Sequence, residues 1–226
     1  MGRIIVIDGT SNAGKTTLCN NLQNSVKDTV IVPGASEFVK KYNKRYTNIP
    51  PIPTNIEEEK NNQVFFFALE LERLIEANKL SKTYENVFMD RSILEIVSVA
   101  YSFEEINHWR GIYQNAKKLY ETFYSEACEK EIVLPDTYIW LQANPGEVVR
   151  RNAIREKETG RKLSEKEWIN PSLINRQIEF FETLCSKENE NKFCFINTNN
   201  KTKQYVLKET CNLLNLKMQE TEREND

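Results

Sequence analysis

Apolar and polar residues alternate along the chain in two regimes. Short runs of mostly apolar residues at 3–8, 29–32, 86–90, 137–142 and 192–197 read as strands. Between them lie longer stretches with helical periodicity, at 15–27, 57–79, 103–130, 145–157, 165–186 and 202–216. Strands that alternate with helices predict an α/β fold in which helices cross over a mostly parallel sheet. Asn144-Pro145-Gly146-Glu147 is a helix start: Asn caps, Pro fits the first turn, and Glu at the third helical position can reach back. Ile49-Pro50-Pro51-Ile52-Pro53 blocks both helix and central strand and predicts a rigid extended connection. Residues 219–226 are charged and lack an apolar face, so a single domain over 1–218 with a frayed tail is expected, without internal repeats.

With 226 residues, the chain suits one large domain or a domain with an inserted lid, and such a chain buries roughly 70 % of its unfolded surface. Thirty-one Lys and Arg against 33 Asp and Glu give a net charge of −2. That balance argues against nucleic acid as a partner, although a local basic groove stays open. No apolar run approaches the roughly 20 residues of a membrane helix. The N-terminus enters a strand without the form of a secretory leader, and Val6 breaks the myristoylation pattern. Cys19, Cys128, Cys185, Cys194 and Cys211 contain no Cys-x-x-Cys pair, which favours reduced packing thiols in a cytoplasmic-type compartment. His108 is the only histidine, so a zinc site built on several histidines is excluded. It falls within the 103–130 pattern and reads as an ordinary helix residue.

Gly9-Thr10-Ser11-Asn12-Ala13-Gly14-Lys15-Thr16 matches G-x-x-x-x-G-K-[ST] in full and lies between a strand pattern and a helix pattern. Backbone N–H groups of such a loop surround a polyphosphate, and the following helix, beginning at Lys15, Thr16 and Thr17, points its positive end at it. Lys15 would reach the β- and γ-phosphates of ATP, and Thr16 would offer its hydroxyl to magnesium. The third strand pattern ends in Asp90-Arg91-Ser92, where Asp90 reads as a metal partner and Arg91 as a ligand for phosphate or acceptor.

From Asp8-Gly9 through Gly14-Lys15-Thr16-Thr17, Asp90-Arg91-Ser92, Pro135-Asp136-Thr137-Tyr138-Ile139-Trp140-Leu141, Asn144-Pro145 and Arg151-Asn152-Ala153-Ile154-Arg155 to Phe193-Cys194-Phe195-Ile196-Asn197, the chain resembles the P-loop nucleoside and nucleotide kinases. The thymidylate kinase and deoxynucleoside kinase branch fits best. The resemblance implies a five-stranded parallel sheet, a helical lid at about 150–165, and transfer of the γ-phosphoryl group of ATP to a nucleoside or nucleoside monophosphate. It implies a magnesium set of Thr16, Asp90 and Asp8. Arg151 and Arg155 look like the family's adenine-stacking and phosphate-clamping arginines, and their spacing of four places both on one helix face. Arg150 and Arg161 are spares, and Thr159-Gly160 supplies a hinge.

The acceptor pocket departs from the family. Ile31 and Val32 stand before Pro33-Gly34 where the family carries an Arg or a catalytic Glu, so Glu37 is the candidate displaced base or hydroxyl binder. On the acceptor-facing helix, Gln63 is suited to reading a base edge and Phe67 to stacking on a ring. The family's Ala-Asp-Arg run becomes Leu69-Glu70-Leu71, with Arg73 as the nearest substitute arginine. Two other readings stay open: a phosphotransferase acting on a hydroxyl of another small molecule, and a nucleotide-dependent switch ATPase. A homodimer is compatible with either.

Overall fold

β1 (Arg3–Gly9) is buried at every position after Arg3, the pattern of a central strand covered on both faces. In the computed structural model, which describes residues 1–42, 48–160, 168–187 and 192–219, β1 pairs in parallel with β3 (Asn86–Asp90) and β4 (Thr137–Gln142). β2 (Thr29–Val32) joins β3 and β5 (Phe193–Asn197) joins β4, giving a five-stranded parallel sheet ordered β2-β3-β1-β4-β5. The register sets Ile7 opposite Asp90 and Gly9 opposite Leu141, so the end of β1 lies between the ends of its two neighbours.

Side chains of β1 alternate between two cores, as the period of two requires. Ile4 and Val6 face a cluster with Phe67, Leu69 and Leu74 of α3 (Ile56–Leu80), Leu94 of α4 (Ile93–Ile106), Phe123 of α5 (Ile112–Glu129) and Phe181 of α7 (Pro171–Lys187). Ile5 and Ile7 face Leu18 and Leu22 of α1 (Lys15–Ser25), Val148 of α6 (Pro145–Thr159) and Val206 and Leu207 of α8 (Lys203–Leu213). A short α2 (Ala35–Tyr42) follows β2.

The strand patterns match these strands to within a residue at each end, whereas the helices differ in instructive ways. The 103–130 pattern is two helices, because the chain breaks at 107–111, with His108 at φ 57° and Gly111 at φ 83°. His108 is therefore a residue of the break and not of a helix; it lines a cavity of about 410 Å³ with Tyr101, Tyr113 and Arg176. Two elements, α2 and most of α4, were outside the predicted helices. α1 ends at Ser25 because Val26 leaves it to bridge Met218, and the Gln219 N–H donates to the Ser25 carbonyl at 2.7 Å, which ties down the start of the expected tail. Asn144 caps α6 as its sequence predicts, accepting from the Glu147 N–H at 2.8 Å. Glu147 does not reach back; its carboxylate turns to Arg150 and Arg151. The expected start of α7 at 165 and the rest of the tail lie outside the described residues.

Trp140 on β4 stacks on Phe181 with ring centroids 3.5 Å apart, both rings about 1 % exposed. This contact fastens α7 to the sheet. Phe181→Ala is expected to cost about 3–5 kcal/mol, measured as a lower ΔG of unfolding in urea.

Candidate active site

The carboxyl ends of β1, β3 and β4 lie side by side, at the edge where open α/β sheets bind ligands. The loop leaving β1 runs tightly across β4. A Cβ on Gly9 would stand 2.4 Å from the Leu141 carbonyl oxygen, so only glycine fits there. Thr10 is fully buried and exchanges hydrogen bonds with the Ala143 backbone at 3.2 and 3.3 Å, holding the loop to β4. Ser11 and Ala13 are buried as well; Asn12 takes a left-handed conformation, φ 54°. Gly14, at φ 103°, precedes α1, and Thr17 is half-buried in its first turn.

Lys15 is buried and bends back over the loop, donating from Nζ to the Gly9 carbonyl at 2.7 Å and the Thr10 carbonyl at 2.9 Å. Burial and the Arg91 guanidinium push its pKa down, while Glu95, Asp90 and Asp8 oppose that shift. Thr16 donates to Asp90 Oδ2 at 2.6 Å, and Asp90 Oδ1 is buried with no partner among the described residues. A hydroxyl and a carboxylate with a spare oxygen suit magnesium, which takes few protein ligands and completes its shell with phosphates and water. Among the described residues no cluster of three His, Cys, Asp or Glu could cage a metal alone.

Asp8 is engaged differently from its neighbour Asp90. Oδ1 accepts the Ser92 N–H at 3.0 Å and Oδ2 accepts the Ser92 hydroxyl at 2.5 Å, so Asp8 anchors the cap of α4. Burial and the nearby Glu95 charge raise its pKa to about 7. Arg91 follows at φ 78°, its N–H on the Ile7 carbonyl and its guanidinium paired with Glu95. Arg73, wholly buried, is paired with Glu70 and donates to the Asp90 carbonyl at 2.7 Å, the Arg91 carbonyl at 3.3 Å and the Pro33 carbonyl at 3.0 Å. It thereby clamps the ends of β2 and β3.

Two of the three α6 arginines reach the loop. Arg151 donates to the Asn12 and Ala13 carbonyls at 3.1 and 2.9 Å, to Thr198 Oγ1 at 3.2 Å and to Glu147 at 2.7 Å. Arg155, one turn further and exposed, touches Asn12 Oδ1 at 3.4 Å. Arg150 pairs with Glu147 at the surface, and Gly160 ends α6 at φ 66°. Arg161 and the remainder of the expected lid lie outside the described residues.

Of the residues expected at the acceptor, Glu37 is exposed in the first turn of α2. Gln63 is 1 % exposed, donating to Glu59 Oε1 at 3.1 Å and accepting from Asn115 at 2.8 Å; Phe67 packs in the core beside β1. In this structure those two side chains are committed to packing α3 against its neighbours. Glu95 and Glu70 were not anticipated as site residues. Both are buried against arginines at the end of β3, Glu70 against Arg73 of α3 and Glu95 against Arg91. For Glu95 the sequence offered only Ser92-x-x-Glu95, a cap pattern.

A parallel sheet whose first strand feeds a phosphate loop, with an acid at the end of the adjacent strand, defines a P-loop kinase fold. The family described as deoxynucleoside kinase matches residues 5–214, and the chain belongs to that family. Among solved structures it is similar to deoxyadenosine kinase from M. mycoides with bound dATP, at 18 % identity and TM-score 0.55 over 94 % of this chain and 99 % of that one. It is also similar to thymidylate kinase from Candida albicans, at 14 % identity and TM-score 0.62 over 96 % and 97 % of the two chains. No curated protein matches it by sequence. The chain is an ATP-dependent kinase of nucleosides or nucleotides, as the resemblance implied, and its acceptor is a small molecule of the nucleoside type. Among the described residues no helix is long and apolar enough to cross a membrane.

Glu147 gives a direct test of the α6 anchor. Its pKa is lowered to about 2, first by hydrogen bonds from Arg150 and also by those from Arg151. A carboxylate held below its unfolded value of about 4.3 stabilises the fold above that pH and loses the contribution as pH falls towards 2. Thermal melts between pH 5 and pH 2 should therefore fall less steeply in Glu147→Gln than in the wild type.

Proposed function

We propose that the chain transfers the γ-phosphoryl group of magnesium ATP to the primary 5′-hydroxyl of a nucleoside, in preference to the phosphate of a monophosphate. The carrying observation is the charge around the end of β3. Each arginine there has its own glutamate, Arg91 with Glu95 and Arg73 with Glu70, and Asp8 and Asp90 add further carboxylates. A dianionic acceptor phosphate would meet repulsion in such a setting, whereas a neutral hydroxyl would not. Four described cysteines are free thiols, which supports a reducing, cytoplasmic setting.

In this reading the loop amides from Gly9 to Thr16 hold the phosphates, and Lys15 exchanges its two carbonyl partners for the β- and γ-phosphate oxygens. Thr16 and Asp90 would hold magnesium, which would supply neutralisation of phosphate charge. Arg151 fixes the loop to α6 and flanks the nucleotide, while the freer Arg155 is placed to clamp the phosphoryl group in transfer. Arg91 orients the acceptor.

Purified protein with magnesium ATP, set against nucleosides and their monophosphates and read by mass, should add one phosphate to a nucleoside. Phosphate gained only by monophosphates would refute the acceptor assignment. Lys15→Ala should lower transfer at least 100-fold without changing the fold by circular dichroism. Asp90→Asn should shift the magnesium titration to several-fold higher concentration, and an unchanged titration would remove Asp90 from the metal site.

A further inference from the structure

Two buried carboxylate oxygens in this cluster have no hydrogen-bond partner among the described residues, Asp90 Oδ1 beside Thr16 and Glu95 Oε2. Ser92 and Glu95 have the spacing of a reciprocal cap, in which the third helical residue accepts the N–H of the capping residue. Here Asp8 takes the Ser92 N–H, and Glu95 has no such donor to receive. Its Oε1 lies against Arg91 and 3.9 Å from Lys15 Nζ. Its Oε2 is buried with no partner among the described residues, on a residue 8 % exposed. A buried acceptor left this way destabilises the fold by its lost hydration. A donor that arrives with substrate would offset that cost. ATP phosphates bring acceptors and no donor, but the acceptor's hydroxyl is a donor. Lys15 marks where the transferred phosphoryl group sits, which puts Glu95 beside the path of the incoming oxygen.

We infer that Glu95 is the carboxylate that receives the acceptor's hydroxyl, an assignment that rests on the nucleoside reading above. The hydroxyl oxygen bonds to the γ-phosphorus as the bond from that phosphorus to the β,γ-bridging oxygen breaks, and the bridging electron pair leaves with ADP. The hydroxyl proton passes to Glu95 Oε2 and then to water. Arg91, bound to Oε1, aims the carboxylate. Val32 is apolar where the end of β2 meets this site, Glu37 is exposed in the first turn of α2, and Asp90 already accepts the Thr16 hydroxyl.

The test uses the full chain with magnesium ATP. Glu95→Gln should lower kcat about 100-fold or more, with KM for ATP and nucleoside within about threefold. Added formate should return at least tenfold of the activity lost in Glu95→Ala. Independently of any variant's folding, a 5′-deoxynucleoside should bind the wild type about tenfold more weakly than the parent nucleoside. Wild-type kcat in Glu95→Gln, a loss confined to KM for ATP or to the magnesium requirement, absent formate recovery, or equal binding of the 5′-deoxy analogue would each overturn the assignment. A wild type that phosphorylates nucleosides while Glu95→Gln keeps its kcat overturns this inference alone. A wild type active only on monophosphates overturns both readings.

Discussion

Two hydrogen bonds from Ser92 to the Asp8 carboxylate join the end of β1 to the start of α4, and the geometry of the phosphate site follows from them. They bring α4 in directly after Asp90, with only Arg91 to turn the chain, and Arg91 takes a positive φ to do so. For a non-glycine residue that conformation costs of order 1 kcal/mol or more and persists only where its surroundings over-determine it. They do so here: the Arg91 N–H is on Ile7, the carbonyls of Asp90 and Arg91 are on Arg73, and the next residue is held by Asp8. Asp90, Arg91 and Glu95 then project from a rigid corner beside the loop.

That corner is electrostatically costly as well. Asp8 is buried so close to Glu95 that its pKa reaches about 7, and Lys15 is pushed the opposite way by burial and Arg91. Charges of both signs in a dry crevice stabilise the fold poorly, since desolvation offsets their attraction. Their value is preorganisation. In the form described, Lys15 folds over the loop and satisfies Gly9 and Thr10, so a nucleotide must replace two hydrogen bonds as it binds.

The sheet was legible in the sequence because its three central strands are covered on both faces and its edge strands are also mostly apolar, so all five read as apolar runs. The phosphate loop was legible because its glycines answer steric demands, as at Gly9 against Leu141. What was hidden is non-local. Amphipathic periodicity runs through 107–111, and only Gly111 hints that two helices meet there, since His108 adopts its positive φ without a sequence signal. Gln63 looked free to read a base until Asn115, 52 residues away, closed on it. Glu95 reads as a helix cap from local spacing, and only the approach of Asp8 from another strand releases it.

Arg73 shows how the departure at the second strand is accommodated. With Val32 in the core, the end of β2 offers the site only backbone, through the Pro33 carbonyl and through Gly34, where a Cβ would lie 3.8 Å from Asp90 Oδ2. Arg73 gathers that carbonyl together with those of Asp90 and Arg91, a spread of acceptors that a planar guanidinium can meet and an ammonium cannot. Glu70 on the same helix supplies the charge that lets the guanidinium stay buried. The two residues therefore act inside the frame, joining β2 to β3. The other arginine and glutamate, Arg91 and Glu95, form a second pair one turn apart on α4 and its lead-in, with Glu95 also facing Lys15.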